Sequence, residues 1–122
     1  MKLCISSCGN NLESSIDPRF GRSQMFIFVD SETMEYEVVK NPAMNAGGGA
    51  GTQAAQLVVN NGAEAVLTGN VGPNANSVLN AANIKVYVGL AGTCRDAIAK
   101  FKKDEIQAVN KPSVARHAGM GL

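Results

Sequence analysis

"SQMFIFVDSETMEYEVVK", residues 23–40, is the stretch whose reading decides the fold. Its first half, 23–30, is apolar on both faces, which suits a strand in the interior of a sheet. "SET" at 31–33 turns the chain. In 34–40, Glu35 and Glu37 alternate with Met34, Tyr36 and Val38, the pattern of an exposed edge strand. The two halves predict an antiparallel hairpin. Upstream, "KLCISSC" (2–8) reads as a further strand, with Leu3 and Ile5 on one face and Cys4, Ser6 and Cys8 on the other. The 9–22 segment between them is polar and broken by Pro and two Gly, so it is a loop.

Beyond the hairpin the period changes. Ala50, Ala54, Leu57 and Val58 recur at helical spacing until "NNG" at 60–62. "AEAVLTG" (63–69) is a short buried strand. "VGPNANSVLNAAN" (71–83) is a helix with Pro73 in its first turn and Ala75, Val78, Leu79 and Ala82 as its inner stripe. "IKVYVG" (84–89) is a strand. "TCRDAIAKFKK" (93–103) is a helix that Thr93 can cap, with Asp96 three residues on. The order βββαβαβα joins an antiparallel meander to a parallel βαβ series with right-handed crossovers. The economical solution is an α/β fold with a five-stranded mixed sheet in order 3-2-1-4-5 and flanking helices, the ribonuclease-H-like arrangement. One domain over 1–105 is expected, with a partly flexible C-terminal tail over 106–122.

Composition narrows the function classes. The 122 residues are 45% hydrophobic and 17% charged, with a net charge of +1, which fits one soluble globular domain. Lys and Arg are scattered and aromatics make up 5%, so neither a basic nucleic-acid footprint nor a stacking platform for bases is expected. No run approaches the about 20 apolar residues of a membrane span. The N-terminal apolar run is too short for a signal peptide, and a cytoplasmic location is expected. Cys4, Cys8 and Cys94 are an odd count and read as free thiols.

In this topology the segments leaving strands 1, 3, 4 and 5 share one edge of the sheet, where open α/β sheets bind ligands. They are the loop with Cys8, Arg19 and Arg22; the glycine run Gly47, Gly48, Gly49, Gly51; "TGNVGPN" (68–74) with Asn70 and Asn74; and "GLAGTC" (89–94). Three of them lead into helix N-termini, whose free N–H groups and dipoles favour an anion. The expectation is one electropositive bowl. The glycine run is not a P-loop, because no Lys follows it, and it is not a dinucleotide fingerprint, because Thr52 stands where the third Gly is required. A connection needing positive φ is the plain alternative.

Arg19 and Arg22 suit an anionic group, or Asp17 simply pairs with one of them. Cys4 reads as a small buried hydrophobe. Cys8 stands at a strand end in the proposed bowl. Cys94 lies at a helix N-terminus, where a thiolate is favoured, but it also shares a helical face with Ala97, Ile98 and Phe101. His117, the one histidine, is either solvated or a ligand. Cys8, Cys94 and His117 form a soft-ligand set suited to metal–sulfur clusters. No carboxylates are placed to hold paired metals, and no Ser–His–Asp or acid–base pair is evident.

"DPRFGRSQMFIFVD", "GGGAGTQAAQLV", "AVLTGNVGPNANSVL" and "IKVYVGLAGTCRDAIAKF" together resemble the dinitrogenase iron–molybdenum cofactor-binding family over about residues 2–105. The resemblance implies the same ribonuclease-H-like fold. It also implies non-catalytic binding, storage or delivery of an anionic iron–sulfur or iron–molybdenum type cluster, exchanged with a donor or acceptor protein, as in nitrogenase accessory proteins. In the family's cofactor carriers a cysteine or histidine is the expected anchor, for which Cys8, Cys94 and His117 are the candidates here. Two other readings stand beside it: a module for a small phosphorylated or acidic ligand that acts as regulator or adaptor, and a scaffold that pairs through the edge strand 34–40.

Overall fold

The computed structural model describes residues 1–109. Its elements are β1 (Lys2–Ser7), β2 (Met25–Asp30), β3 (Tyr36–Lys40), α1 (Ala50–Asn60), β4 (Ala65–Leu67), α2 (Pro73–Ala81), β5 (Lys85–Tyr87) and α3 (Cys94–Lys102). The sheet order is β3-β2-β1-β4-β5, as the element order predicts. β2 is antiparallel to both β1 and β3, and β4 is parallel to β1 and β5.

Side-chain alternation assigns each face of the sheet its own cover. Leu3, Ile5, Ile27, Val29, Ala65 and Leu67 point to one side and pack with Cys94, Ala97 and Ile98 of α3. Cys4, Phe26, Phe28, Val66 and Val86 point to the other and pack with Ala54, Ala55 and Val58 of α1 and Ala75 and Leu79 of α2. Each fully buried Leu, Ile, Val or Phe side chain is worth roughly 1.5–3 kcal/mol of transfer free energy. Two-sided cover therefore explains why β1 and β2 are buried on both faces over most of their length. The inner stripe of α2 is shorter than its period predicts: the helix stops at Ala81, and Ala82 is an exposed C-cap.

The hairpin turn explains why β3 starts at Tyr36 and not at Met34. Asp30 Oδ1 accepts the Glu32 and Thr33 backbone N–H groups at 2.8 and 3.1 Å. Met34 then takes a left-handed φ of 65° and donates its N–H to Asp30 O at 2.8 Å, so it belongs to the turn. At the opposite edge, the Val109 N–H donates to Val86 O at 2.7 Å, and Ile106 packs on the α3 side. Residues 106–109 are thus held to the sheet; the rest of the expected tail, with His117, lies outside the described residues.

Candidate functional site

The site is built on how the 8–22 loop leaves β1. Ser6 Oγ donates to Asp17 O at 2.7 Å and lies 2.7 Å from Thr68 Oγ1, buried between β1 and β4. The Asp17 carboxylate, 1% exposed, accepts the Arg19 N–H at 3.1 Å on one oxygen and the Gln24 N–H at 3.1 Å on the other. Arg19 Nε approaches the same carboxylate at 3.4 Å. One buried acid thereby closes the Asp17–Gln24 turn on itself. Asn70 locks the turn to β4: its N–H donates to Pro18 O and its O accepts the Phe20 N–H.

The turn delivers Gly21 and Arg22 to the N-termini of α1 and α2. A Cβ on Gly21 would lie 3.0 Å from the N and Cα of Gly51, and one on Gly51 would meet Ala75 Cβ at 3.4 Å. Small residues at 21, 51 and 75 therefore let three backbones close up. Between them is a shallow bowl of about 280 Å³, lined by Gly21, Arg22, Gly49–Gly51 and Gly72–Ala75. Neither helix has a side-chain cap, and neither carries an acidic residue in its first turn. Gly49, the N-cap of α1, takes φ 72°, where a Cβ would be strained. Two positive dipole ends and one guanidinium face the same cavity, the arrangement that favours an anion. Arg22 also serves as a strut: its Nη1 donates to Met44 O at 3.1 Å and to Ala46 O at 2.6 Å, tying down the segment that enters the glycine run.

The structure thus brings together Arg22, Gly49, Gly51 and Asn74 of the expected site. Gly47 and Gly48 are exposed with open space around them and lead into the bowl without lining it. Arg19 has a side chain 60% exposed and, like Asn70, does not line it. The expectation that α3 adds a third N-terminus is corrected. The Cys94 and Arg95 N–H groups donate to Ser14 O and Leu12 O, and Thr93 Oγ1 accepts the Asp96 N–H. The loop has filled that place with its own carbonyls. Gly21, Gly72, Pro73 and Ala75 also line the bowl; Pro73 was legible as a helix start, but nothing in the sequence ties Gly21 to Gly51.

The thiols lie outside the bowl. Cys8 is exposed; partial burial and the Asp17 carboxylate push its pKa up, and the Arg19 guanidinium opposes them. Cys94 is fully buried; burial pushes its thiol up, against a hydrogen bond from the Ser7 side chain. Cys4 is buried and its thiol is pushed well up for the same reason. Among the described residues no three His, Cys, Asp or Glu side chains gather to hold a metal ion.

The model of the family described as "Dinitrogenase iron-molybdenum cofactor" matches residues 1–104. The chain belongs to that family. The apo form of the orange protein from Desulfovibrio gigas superposes with a TM-score of 0.89 at 38% identity, over 92% of this chain and 95% of that one. A Thermotoga protein described as a candidate NifB superposes with a TM-score of 0.78 at 34% identity, over 90% and 94% of the two chains. An uncharacterized protein from Methanocaldococcus jannaschii is 32% identical over 110 residues, 88% of this chain and 90% of its own. The family membership covers every segment that builds the bowl.

Proposed function

We propose that this family member binds an intact anionic iron–sulfur or iron–molybdenum type cluster as cargo in the bowl, and stores or delivers it without catalysis. The observation that carries the reading is the convergence on one cavity of Arg22 and two helix N-termini with no acidic residue in their first turns. The donor set fits a cluster that arrives with its own ligands complete. Backbone N–H groups and a guanidinium can hold the outer atoms of an anion, whereas among the described residues the bowl offers no thiolate or imidazole to bond a bare metal ion. Cys8 is the one exposed thiol among the described residues and is the candidate for a single anchoring bond during transfer. The reading extends to a cytoplasmic carrier on a ribonuclease-H-like scaffold that meets a donor or acceptor protein.

The absence of a thiol from the bowl also favours a second reading, a small phosphorylated or acidic ligand held by the same donors. Anaerobic purification from iron- and molybdenum-replete cells, with metal analysis and visible absorption, tests the first. Metal at stoichiometric level supports it. No metal, together with no uptake of an offered cluster, overturns it. Asn74→Asp places a carboxylate in the first turn of α2, where it favours the helix but repels an anion. Cluster affinity should fall by about fivefold, on the scale of one repulsion of about 1 kcal/mol near water. Stabilisation by nucleotides or inorganic phosphate, with none by a cluster, would instead select the second reading.

A further inference from the structure

Asn41 follows directly on β3 and reaches across to the segment that carries Arg22. It is 5% exposed, and every polar atom of its side chain is used. Nδ2 donates to Gly21 O at 3.1 Å and to Ser23 O at 2.9 Å. Oδ1 accepts the Ala43 N–H at 2.9 Å. These contacts admit one orientation of the amide, since a flip would set its oxygen against two carbonyl oxygens. One buried amide thereby holds the backbone on both sides of Arg22. The other segment returns the contact. The Met44 N–H donates to Asn41 O at 3.4 Å and the Ala46 N–H to Ala43 O at 3.0 Å, so residues 41–46 fold back in two turns. Those turns present Met44 O and Ala46 O to Arg22 Nη1. The two segments form a reciprocal clasp at the wall of the bowl that Arg22 lines.

We propose that Asn41 is a positioning residue of the bowl: it fixes the backbone that carries Arg22 and so aims the guanidinium at a bound anion. The proposal rests on the reading of the bowl as an anion site. Among the described residues, the protein partners of Arg22 use Nη1 alone. Nε and Nη2 remain, and together they form the two-pronged edge that suits paired acceptor atoms of one anion. A long side chain on an exposed loop loses rotamer entropy when it binds, and one that is already held loses less. The clasp therefore turns Arg22 from a loose surface charge into a prepared donor. The residue type matters, because the amide supplies two donors and one acceptor at once. An Asp carboxylate has no proton to donate, and a Ser hydroxyl has one for two carbonyls.

Asn41→Asp keeps the shape and the Ala43 contact and removes both donated bonds. In the ligand-free full chain, the Arg22 Nε–H resonance should show the heteronuclear NOE of an ordered group. Asn41→Asp should lower that NOE to the value of a free side chain. A thiolate-capped four-iron–four-sulfur cluster, offered anaerobically and followed by visible absorption, probes the bowl. Asn41→Asp should bind it about tenfold or more weakly than the native chain, on the scale of one lost charge-assisted contact. Arg22→Ala should cost about as much. The double variant should bind no more weakly than Arg22→Ala alone, because Asn41 acts through Arg22, whereas a merely structural role would multiply the two losses. Asn41→Ser restores one donor and should fall between the native chain and Asn41→Asp; should Asn41→Asp fail to fold, Asn41→Ser decides in its place. An unchanged Arg22 NOE, or losses that multiply in the double variant, overturns the proposal. A native chain that takes up no cluster overturns the cargo reading instead, and the NOE of the free protein still decides whether Asn41 positions Arg22.

Discussion

Cys8 and Cys94 show how one residue type separates into two chemical states. Both follow apolar elements in the sequence, and both read there as candidate ligands. The spacing of Cys94 with Ala97, Ile98 and Phe101 carried the deciding signal, since a residue on the apolar face of a helix is buried by the packing of that face. Cys8 has no such partners and stays exposed. Alkylation of the native protein should therefore label Cys8 alone, with Cys4 and Cys94 reacting only after unfolding; peptide mass mapping reads this directly. The thiolate is the reactive form, and burial and Asp17 hold the Cys8 pKa above the ordinary thiol value. The labelling rate should thus climb at a higher pH than for a free thiol. Arg19→Ala removes the one opposing charge and should shift that climb higher still. A rate profile equal to that of a model thiol would show that these neighbours do not act on Cys8.

At the scale of elements, the helices and strands were legible because their side chains repeat, whereas the 8–22 loop was not. Its structure rests on backbone bonds between distant segments, such as Cys94 N to Ser14 O and Asn70 N to Pro18 O, which leave no side-chain pattern. Only its glycine partner leaves a trace. A Cβ on Gly69 would lie 2.7 Å from Pro18 Cα and 2.9 Å from Pro18 O, and neither backbone can yield cheaply. Gly69→Ala should cost about 2 kcal/mol or more, on the scale of overpacking, and lower the thermal midpoint by several degrees. The hairpin turn makes a pH prediction. Two backbone N–H groups hold the Asp30 carboxyl below its ordinary range. Its folded pKa lies under its unfolded one, so the turn is favoured in full above the unfolded value and loses this support as pH falls through the folded value. The Thr33 amide shift should follow that depressed midpoint, and Asp30→Asn should abolish the titration.

At the scale of the molecule, chain direction and handedness decide which helix ends can meet. The β3–α1–β4 and β4–α2–β5 connections both join parallel strands and both advance toward β5, so right-handed crossovers place α1 and α2 on one face. α3 follows the edge strand and returns on the other face, which is why its N-terminus cannot join the bowl and is filled by the loop instead. The sequence order contained this exclusion, but only after handedness is applied. What it could not contain is the contact of residues 21, 51 and 75, which depends on how far the helices settle onto the sheet. That contact separates the glycines into two kinds. Gly21→Ala would press a methyl group on the Gly51 backbone, moving the loop off α1 and spreading the bowl. It should cost about 1–3 kcal/mol and weaken cluster binding with it. Gly48→Ala meets open space, and the residue is exposed, so it only stiffens the unfolded chain. It should leave binding unchanged and stabilise by up to about 1 kcal/mol. Thermal midpoints and cluster titrations of the two variants check both halves. Equal effects from both would mean that the glycine run acts as a flexible connection, and that the close approach at Gly21 does not shape the bowl.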